Sequence, residues 1–190
     1  MTIIIVPYKP AWRDEFSALG GTLRRALGQL ALRIDHIGST AVPGLAAKDR
    51  IDIQVTVAEL AGEVEQALNR IGYKRIVRLT QDHLPPGSND DPREWSKWVF
   101  EPPPGQRPTN LHVRVAGRPN QRYALLFRDY LRAHPATAEA YARVKSALAN
   151  YHGDDVQAYY DVKDPVCDII IAGAEDWART TRWEPGASDC

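Results

Sequence analysis

One short stretch constrains this chain more than any other. From residue 50 to 57 apolar and polar side chains alternate without a break. Ile51, Ile53, Val55 and Val57 fall on one face, and Asp52, Gln54 and Thr56 on the other. Successive side chains of a strand point to opposite sides of a sheet, so this pattern is a half-buried strand with a polar face. Just upstream, residues 32–37 alternate as well: Leu32 and Ile34 point inward, Arg33 and Asp35 outward. Between the two strands lie Gly38-Ser39-Thr40 and then Pro43-Gly44, turn residues that break any long helix.

The segments around this pair read as helices and further strands. Residues 3–6 are β-branched and stop at Pro7, an extended arm. Pro10 opens a helix in which Trp12, Phe16, Leu19, Leu23, Leu27 and Leu30 recur every three or four residues. A second amphipathic helix over 58–71 closes at Gly72, and 73–77 is a strand candidate. Residues 81–93, rich in Pro, Gly, Asn and Asp, form a long polar loop, a length that usually serves function. Strands at 95–101 and 110–115, joined by Pro102-Pro103-Pro104-Gly105, make an antiparallel pair. From 120 onward the chain is helical, over about 120–133, 136–150 and 154–178. Strands interleaved with helices, then a helical C-terminal part, give an α/β (α+β) fold around one mixed sheet. The expected organisation is one domain over 1–180, with a flexible tail at 181–190.

Composition narrows the function classes. Lys plus Arg and Asp plus Glu are 24 each, so no net field favours nucleic acid or an anionic membrane. The apolar run at the start is too short for a signal peptide, and none approaches a membrane span. The two cysteines, Cys167 and Cys190, make no disulfide framework. A soluble, cytoplasmic protein acting on a small molecule is expected; the oligomeric state is left open.

Chemistry concentrates where the first strand ends. Gly38 lets the backbone approach a ligand, while Ser39 and Thr40 offer hydroxyls and backbone N–H groups at a helix start. Ser39 could equally be a plain helix cap. Asp52 opens the polar strand face, and a carboxylate beside an N–H-rich turn suits a Mg²⁺-bound phosphate. His36 and His112 sit on strands and are candidate proton-transfer groups. Lys48 could meet a phosphate or carboxylate. Asn110, His112 and Arg114 share one strand face suited to an anionic or polar ligand.

Gly-Ser followed at this distance by an Asp-hydrophobic-X-hydrophobic strand resembles the signature of the nucleotidyltransferase superfamily. The string His36-Ile37-Gly38-Ser39-Thr40-Ala41-Val42-Pro43-Gly44-Leu45, with Lys48 and Ile51-Asp52-Ile53, is similar to the GrpB (UPF0157) family in particular. Val6-Pro7-Tyr8, Leu111-His112-Val113 and Phe127-Arg128-Asp129-Tyr130-Leu131-Arg132 also match, so the resemblance runs through most of the chain. It implies a nucleotidyltransferase-like mixed sheet flanked by helices, with Mg²⁺ held at Asp52 and a nucleotide as substrate or cofactor. In some bacteria the family's domain occurs fused behind a dephospho-CoA kinase. It also implies Asp52, His112 and His36 as catalytic groups, with Gly38, Ser39, Thr40, Lys48, Gln54 and Arg114 around the substrate.

Three departures stand out. Nucleotide-transferring members carry a second carboxylate where this chain has Gln54, and a third where it has His112. Asp49 stands where the family commonly has Pro. Three readings follow. The first is an enzyme on a phosphorylated or carboxylated small molecule, by transferase or ligase chemistry. The second is a degenerate domain that binds a ligand or partner and transfers nothing. The third is a repurposed, NTP-independent enzyme with a histidine general base.

Overall fold

The computed structural model describes residues 2–190. Helix α1 (Ala11–Leu27) precedes strands β1 (Arg33–Ile37) and β2 (Ile51–Val57). Helix α2 (Gly62–Arg70) and strands β3 (Lys74–Arg75), β4 (Trp98–Glu101) and β5 (Thr109–Val115) follow, then α3 (Pro119–Ala133), α4 (Pro135–His152) and α5 (Val156–Thr181). The strand order is β1-β2-β5-β4-β3. The β2–β5 pair is parallel and the other three are antiparallel, which is a mixed sheet.

The apolar face of the sheet carries the main core. Ile34, Ile51, Ile53, Val55, Leu111 and Val113 pack beneath Trp12, Phe16, Leu23 and Leu27 of α1 and Val64, Ala67 and Leu68 of α2. Each such side chain contributes about 1.5–3 kcal/mol by leaving water. Helix α2 ends as the sequence predicts: Gly72 has φ 86°, and the Gly72 and Tyr73 amides donate to the Asn69 and Leu68 carbonyls.

The second face is where expectation and structure part. A half-buried strand with a polar face is expected for β2, yet Gln54 and Thr56 are fully buried, because α3 folds over that side with α4 and α5 packed on α3. Asp35, expected to point outward, is also fully buried and held by a bidentate ion pair with Arg33 (2.9 and 3.1 Å). Leu32, expected inward, is exposed just ahead of β1. Helix α5 runs without interruption through Pro165.

The segment after α5, expected as a flexible tail, is bonded to the sheet. It runs along the free edge of β1, where the Ile34 amide donates to Ser188 Oγ (2.9 Å) and the His36 amide to Asp189 Oδ2 (2.9 Å). The Cys190 amide returns a bond to the Ile34 carbonyl (3.1 Å). Both cysteines are unpaired. Among the described residues no helix is long and apolar enough to cross a membrane.

Candidate functional site

The centre of the site is the contact between the β1–β2 turn and the first polar residue of β2. Gly38 has φ 69° and ψ −170°, a backbone state essentially closed to residues with a side chain. A Cβ built there would lie 3.0 Å from both Cβ and Cγ of Asp52, and closer still to its Oδ2. Glycine is therefore needed twice over, for the turn and for the approach to the carboxylate. Asp52 Oδ1 accepts from Asn110 Nδ2 (2.7 Å), whose own Oδ1 accepts from Arg50 Nη1 (3.0 Å). Burial raises the Asp52 pKa; the Asn110 bond and the charges of Arg50, Lys48 and Lys163 oppose that rise.

One lysine is bonded to this turn, and two more meet at a neighbouring tyrosine. Lys145 of α4 is buried and donates to Ser39 Oγ (2.7 Å) and to the Ala46 carbonyl (2.6 Å). Burial, with the nearby Lys163 charge, lowers its pKa to about 7. Lys48 donates to Tyr160 Oη (3.0 Å) and lies over the rings of Tyr159 and Tyr160 at 4.7 Å each. Lys163 of α5 lies 5.5 Å over the same Tyr160 ring and pairs with Asp164 (3.1 Å).

Of the residues singled out in the sequence, Gly38 and Asp52 are brought into contact with Ser39 next in the turn, while Lys48 meets Tyr159 and Tyr160. His36 and Thr40 are turned away from them. His36 is opposite Ile53 in the ladder, so it sits on the apolar face, stacked on Phe16 at 4.7 Å with Nε2 2.9 Å from Thr40 Oγ1. Burial and the charges of Arg132 and Arg128 lower its pKa to about 3. A neutral imidazole packed beneath the sheet is placed for structure and does not face Asp52.

Gln54 and Arg114 lie on the expected face but are already engaged. Gln54 Nε2 donates to the Gln121 carbonyl (3.1 Å) and its Oε1 accepts from Arg114 Nη1 (2.7 Å). Arg114 also forks onto Asp82 at 2.7 and 2.8 Å, and Asp82 accepts from Lys97 (2.6 Å) and Asn120 (3.1 Å). Burial pushes the Asp82 carboxyl up, but Arg114 and Lys97 outweigh it and hold the pKa far below the usual carboxylate range. His112 is opposite Gln54, one ladder step beyond the Asp52–Asn110 pair. Its Nδ1 is buried with no hydrogen-bond partner among the described residues, and burial lowers its pKa well below 6.5. Asp49 does not join the site. It holds Lys9 (2.7 Å), Trp12 Nε1 (2.8 Å) and Arg107, tying α1 to the turn before β2.

The donor set was tested against the two-metal cage that the superfamily resemblance implies. Such a cage needs several anionic oxygens shared between ions. Asp52 is one carboxylate with one oxygen already bonded, and Gln54 is a neutral amide with both ends engaged. Among the described residues, no group of three or more His, Cys, Asp or Glu is placed to hold a metal. These residues do not fit that cage. A cavity of about 780 Å³, lined by Trp95, Tyr123, Arg118 and Ile169 among others, opens elsewhere and includes none of the sequence-predicted residues.

The sequence reading missed Lys145 and Lys163, though a signal was present. The buried stripe of α4 reads Ala138, Tyr141, Lys145, Leu148, and Tyr159, Lys163, Cys167 and Ile170 share one face of α5. A lysine inside an apolar helical stripe needs a polar partner within the fold.

A family model described as "GrpB protein" matches residues 2–172. A dephospho-CoA kinase of Mycolicibacterium paratuberculosis is 39% identical over 95% of this chain, which spans only 48% of that protein. A UPF0157 protein of Halalkalibacterium halodurans is 34% identical over 91% of this chain and 83% of its own length. The crystal structure of a conserved GrpB protein from Enterococcus faecalis superposes with a TM-score of 0.73 at 31% identity, covering 92% of this chain and 99% of that one.

Proposed function

The chain belongs to the GrpB family, and from that premise we propose that the turn at Ser39, beside Asp52, binds a small molecule bearing a phosphoryl or carboxylate group. Asp52 is then the group that acts on it, in transferase or ligase chemistry on a nucleotidyltransferase-like fold. One observation carries this reading: Lys145 is bonded to the turn at Ser39, Lys48 and Lys163 meet nearby at the Tyr160 ring, and Lys145 and Lys48 have only neutral hydrogen-bond partners. Lys145 meets a hydroxyl and a carbonyl, and Lys48 meets a phenol and two rings. Holding the buried Lys145 as a cation beside neutral groups alone is costly unless an anion completes the arrangement. Ser39 Oγ is held by Lys145 at the lip of the turn, where it can share an oxyanion with it. Asp52, its pKa raised by burial, can hold or move a proton next to that anion.

The test is a thermal-shift screen of nucleoside triphosphates, other phosphorylated metabolites and di- and tricarboxylates, followed by turnover assays on the hits. A hit should raise Tm, Lys145→Met should remove the shift, and Asp52→Asn should keep binding while losing turnover. The reading fails if no panel member shifts Tm, or if Lys145→Met leaves the shift intact.

The engagement of Gln54 favours a second reading, a domain that binds the same class of anion and transfers nothing. With Arg114 and the Gln121 carbonyl occupying that amide, the position of the second carboxylate is closed to a metal. Turnover of any bound substrate that disappears in Asp52→Asn would eliminate this reading.

A further inference from the structure

The disagreement between the donor set and a two-metal cage has a positive side. Near Asp52 stand Arg50, Lys48, Lys163 and the buried Lys145; none of them bonds Asp52 directly, and the carboxylate bonded to one of them is Asp164, on Lys163. Lys48 and Lys163 share the Tyr160 ring, and Lys145 and Lys48 are linked through the short turn segment that carries Ala46. The four side chains come from the lead-in to β2, from α4 and from α5, so positive charge from three parts of the chain acts on the one carboxylate. A divalent ion placed on Asp52 would enter a field that is already positive. An oxyanion would enter one that attracts it.

We propose, building on the anion-binding reading above, that this site takes its oxyanion without a divalent metal. The ammonium groups of Lys48 and Lys163, and that of Lys145 as it takes a proton alongside the anion, carry the charge that metal ions would otherwise supply. Asp52 is then no anchor for the ligand. It is a neighbouring negative charge that weakens anion binding in the ground state, while standing ready to exchange a proton with it. The two arrangements therefore predict opposite signs for one substitution. Where a metal bridges carboxylate and anion, removing the carboxylate charge abolishes binding. Where lysines hold the anion directly, removing it leaves binding intact or tightens it.

Isothermal titration with inorganic pyrophosphate and with citrate, each in EDTA and in Mg²⁺, reads this directly. At least one of the two anions is expected to bind in EDTA, with Mg²⁺ improving Kd by less than about threefold. In EDTA, Asp52→Asn should bind as tightly as the parent or more tightly. Lys145→Met should weaken binding by at least about tenfold. Because Lys145 is buried, Lys48→Gln at a half-exposed position provides the second variant and should weaken binding in the same direction. Unchanged near-ultraviolet circular dichroism confirms that each variant is folded. Binding that appears only with Mg²⁺ and is lost in Asp52→Asn overturns this inference while leaving the anion site standing. No binding of either anion under any condition overturns the anion reading and this inference with it.

Discussion

At Gly38 a single hydrogen atom separates a functional turn from a blocked one. Gly38→Ala must pay for a backbone state worth of order 1–3 kcal/mol of strain and must also displace the Asp52 carboxylate. Urea melts should show a loss of about that size, and anion binding should fall with it; an unchanged melt would mean the turn relaxes. His36 makes the opposite kind of prediction, one about pH. Its pKa is about 3 in the folded chain against 6.5 when exposed. The unfolded chain thus binds a proton that the folded chain refuses, and stability falls as pH drops from about 6.5 towards 3. The slope is up to roughly 1.4 kcal/mol per pH unit. His112, lowered in the same direction, contributes a parallel loss. His36→Gln should flatten part of this acid limb in chemical denaturation; an unaltered limb would show that His36 is not buried neutral. At this scale the sequence was a mixed guide. The meeting of Gly38 and Asp52 is legible because a turn and a polar strand face force them together. His36 was misjudged because residue type says nothing about which face of β1 is covered. Strand parity does, and it places His36 with Ile34's neighbours under α1, out of line with Asp52.

The element that most repays attention is the segment between β3 and β4. A polar loop that long invites the idea of a loose lid, yet here it is held at both ends. Asp82 takes a forked bond from Arg114 and further bonds from Lys97 and Asn120, Trp95 Nε1 donates to the Asn89 carbonyl, and His83 reaches Asp168 of α5 at 2.9 Å. Asp82 is the keystone, because both Arg114 and Lys97 are largely buried and depend on its charge. Asp82→Ala should therefore cost about 3–5 kcal/mol, the usual penalty for leaving buried charge unpaired. It should also expose residues 83–93 to limited proteolysis. A loss under about 1 kcal/mol in urea melts would show that Arg114 and Lys97 find water instead. The same network explains why Arg114 was misread as a substrate contact. From the sequence it is one of three polar residues on a strand face; which partner claims it depends on a loop residue more than thirty positions away. The helical elements were better served by their patterns. Their number and limits followed from periodicity and from Pro and Gly punctuation, and the lysines inside the α4 and α5 stripes were the one available hint that these helices also build the site.

At the scale of the molecule, the sheet is enclosed on three sides: α1 and α2 cover one face, α3 with α4 and α5 packed on it the other, and the segment after α5 closes the edge of β1. That closure could not be read from the sequence. Residues such as Gly186, Ala187, Ser188 and Asp189 have the composition of a frayed end, and nothing in their pattern announces that β1 lacks a partner on its outer side. The edge supplies the reason. Its Ile34 and His36 amides need acceptors, and Ser188 Oγ and Asp189 Oδ2 provide them, while Asp189 also takes a bond from the buried Arg128 at 2.7 Å. Arg128 in turn donates to the His36 carbonyl at 3.0 Å, so the strand, the segment and α3 are joined at one point. Deleting residues 186–190 would strip these bonds and leave an unpaired strand edge. The expected loss is about 2–4 kcal/mol, a fall in Tm of roughly 5–15 °C for a chain of this size. An open edge also templates pairing with a second copy, so the shortened chain should self-associate as concentration rises. Asp189→Asn, which keeps the acceptor oxygen but removes the charge beside Arg128, should lower Tm by less and stay as dispersed as the parent. Calorimetry and size-exclusion chromatography across a concentration series measure both effects. An unchanged Tm together with an unchanged elution profile would mean that β1 keeps its edge without help, and that the ordering of 182–190 contributes nothing to holding Gly38 and Asp52 in register.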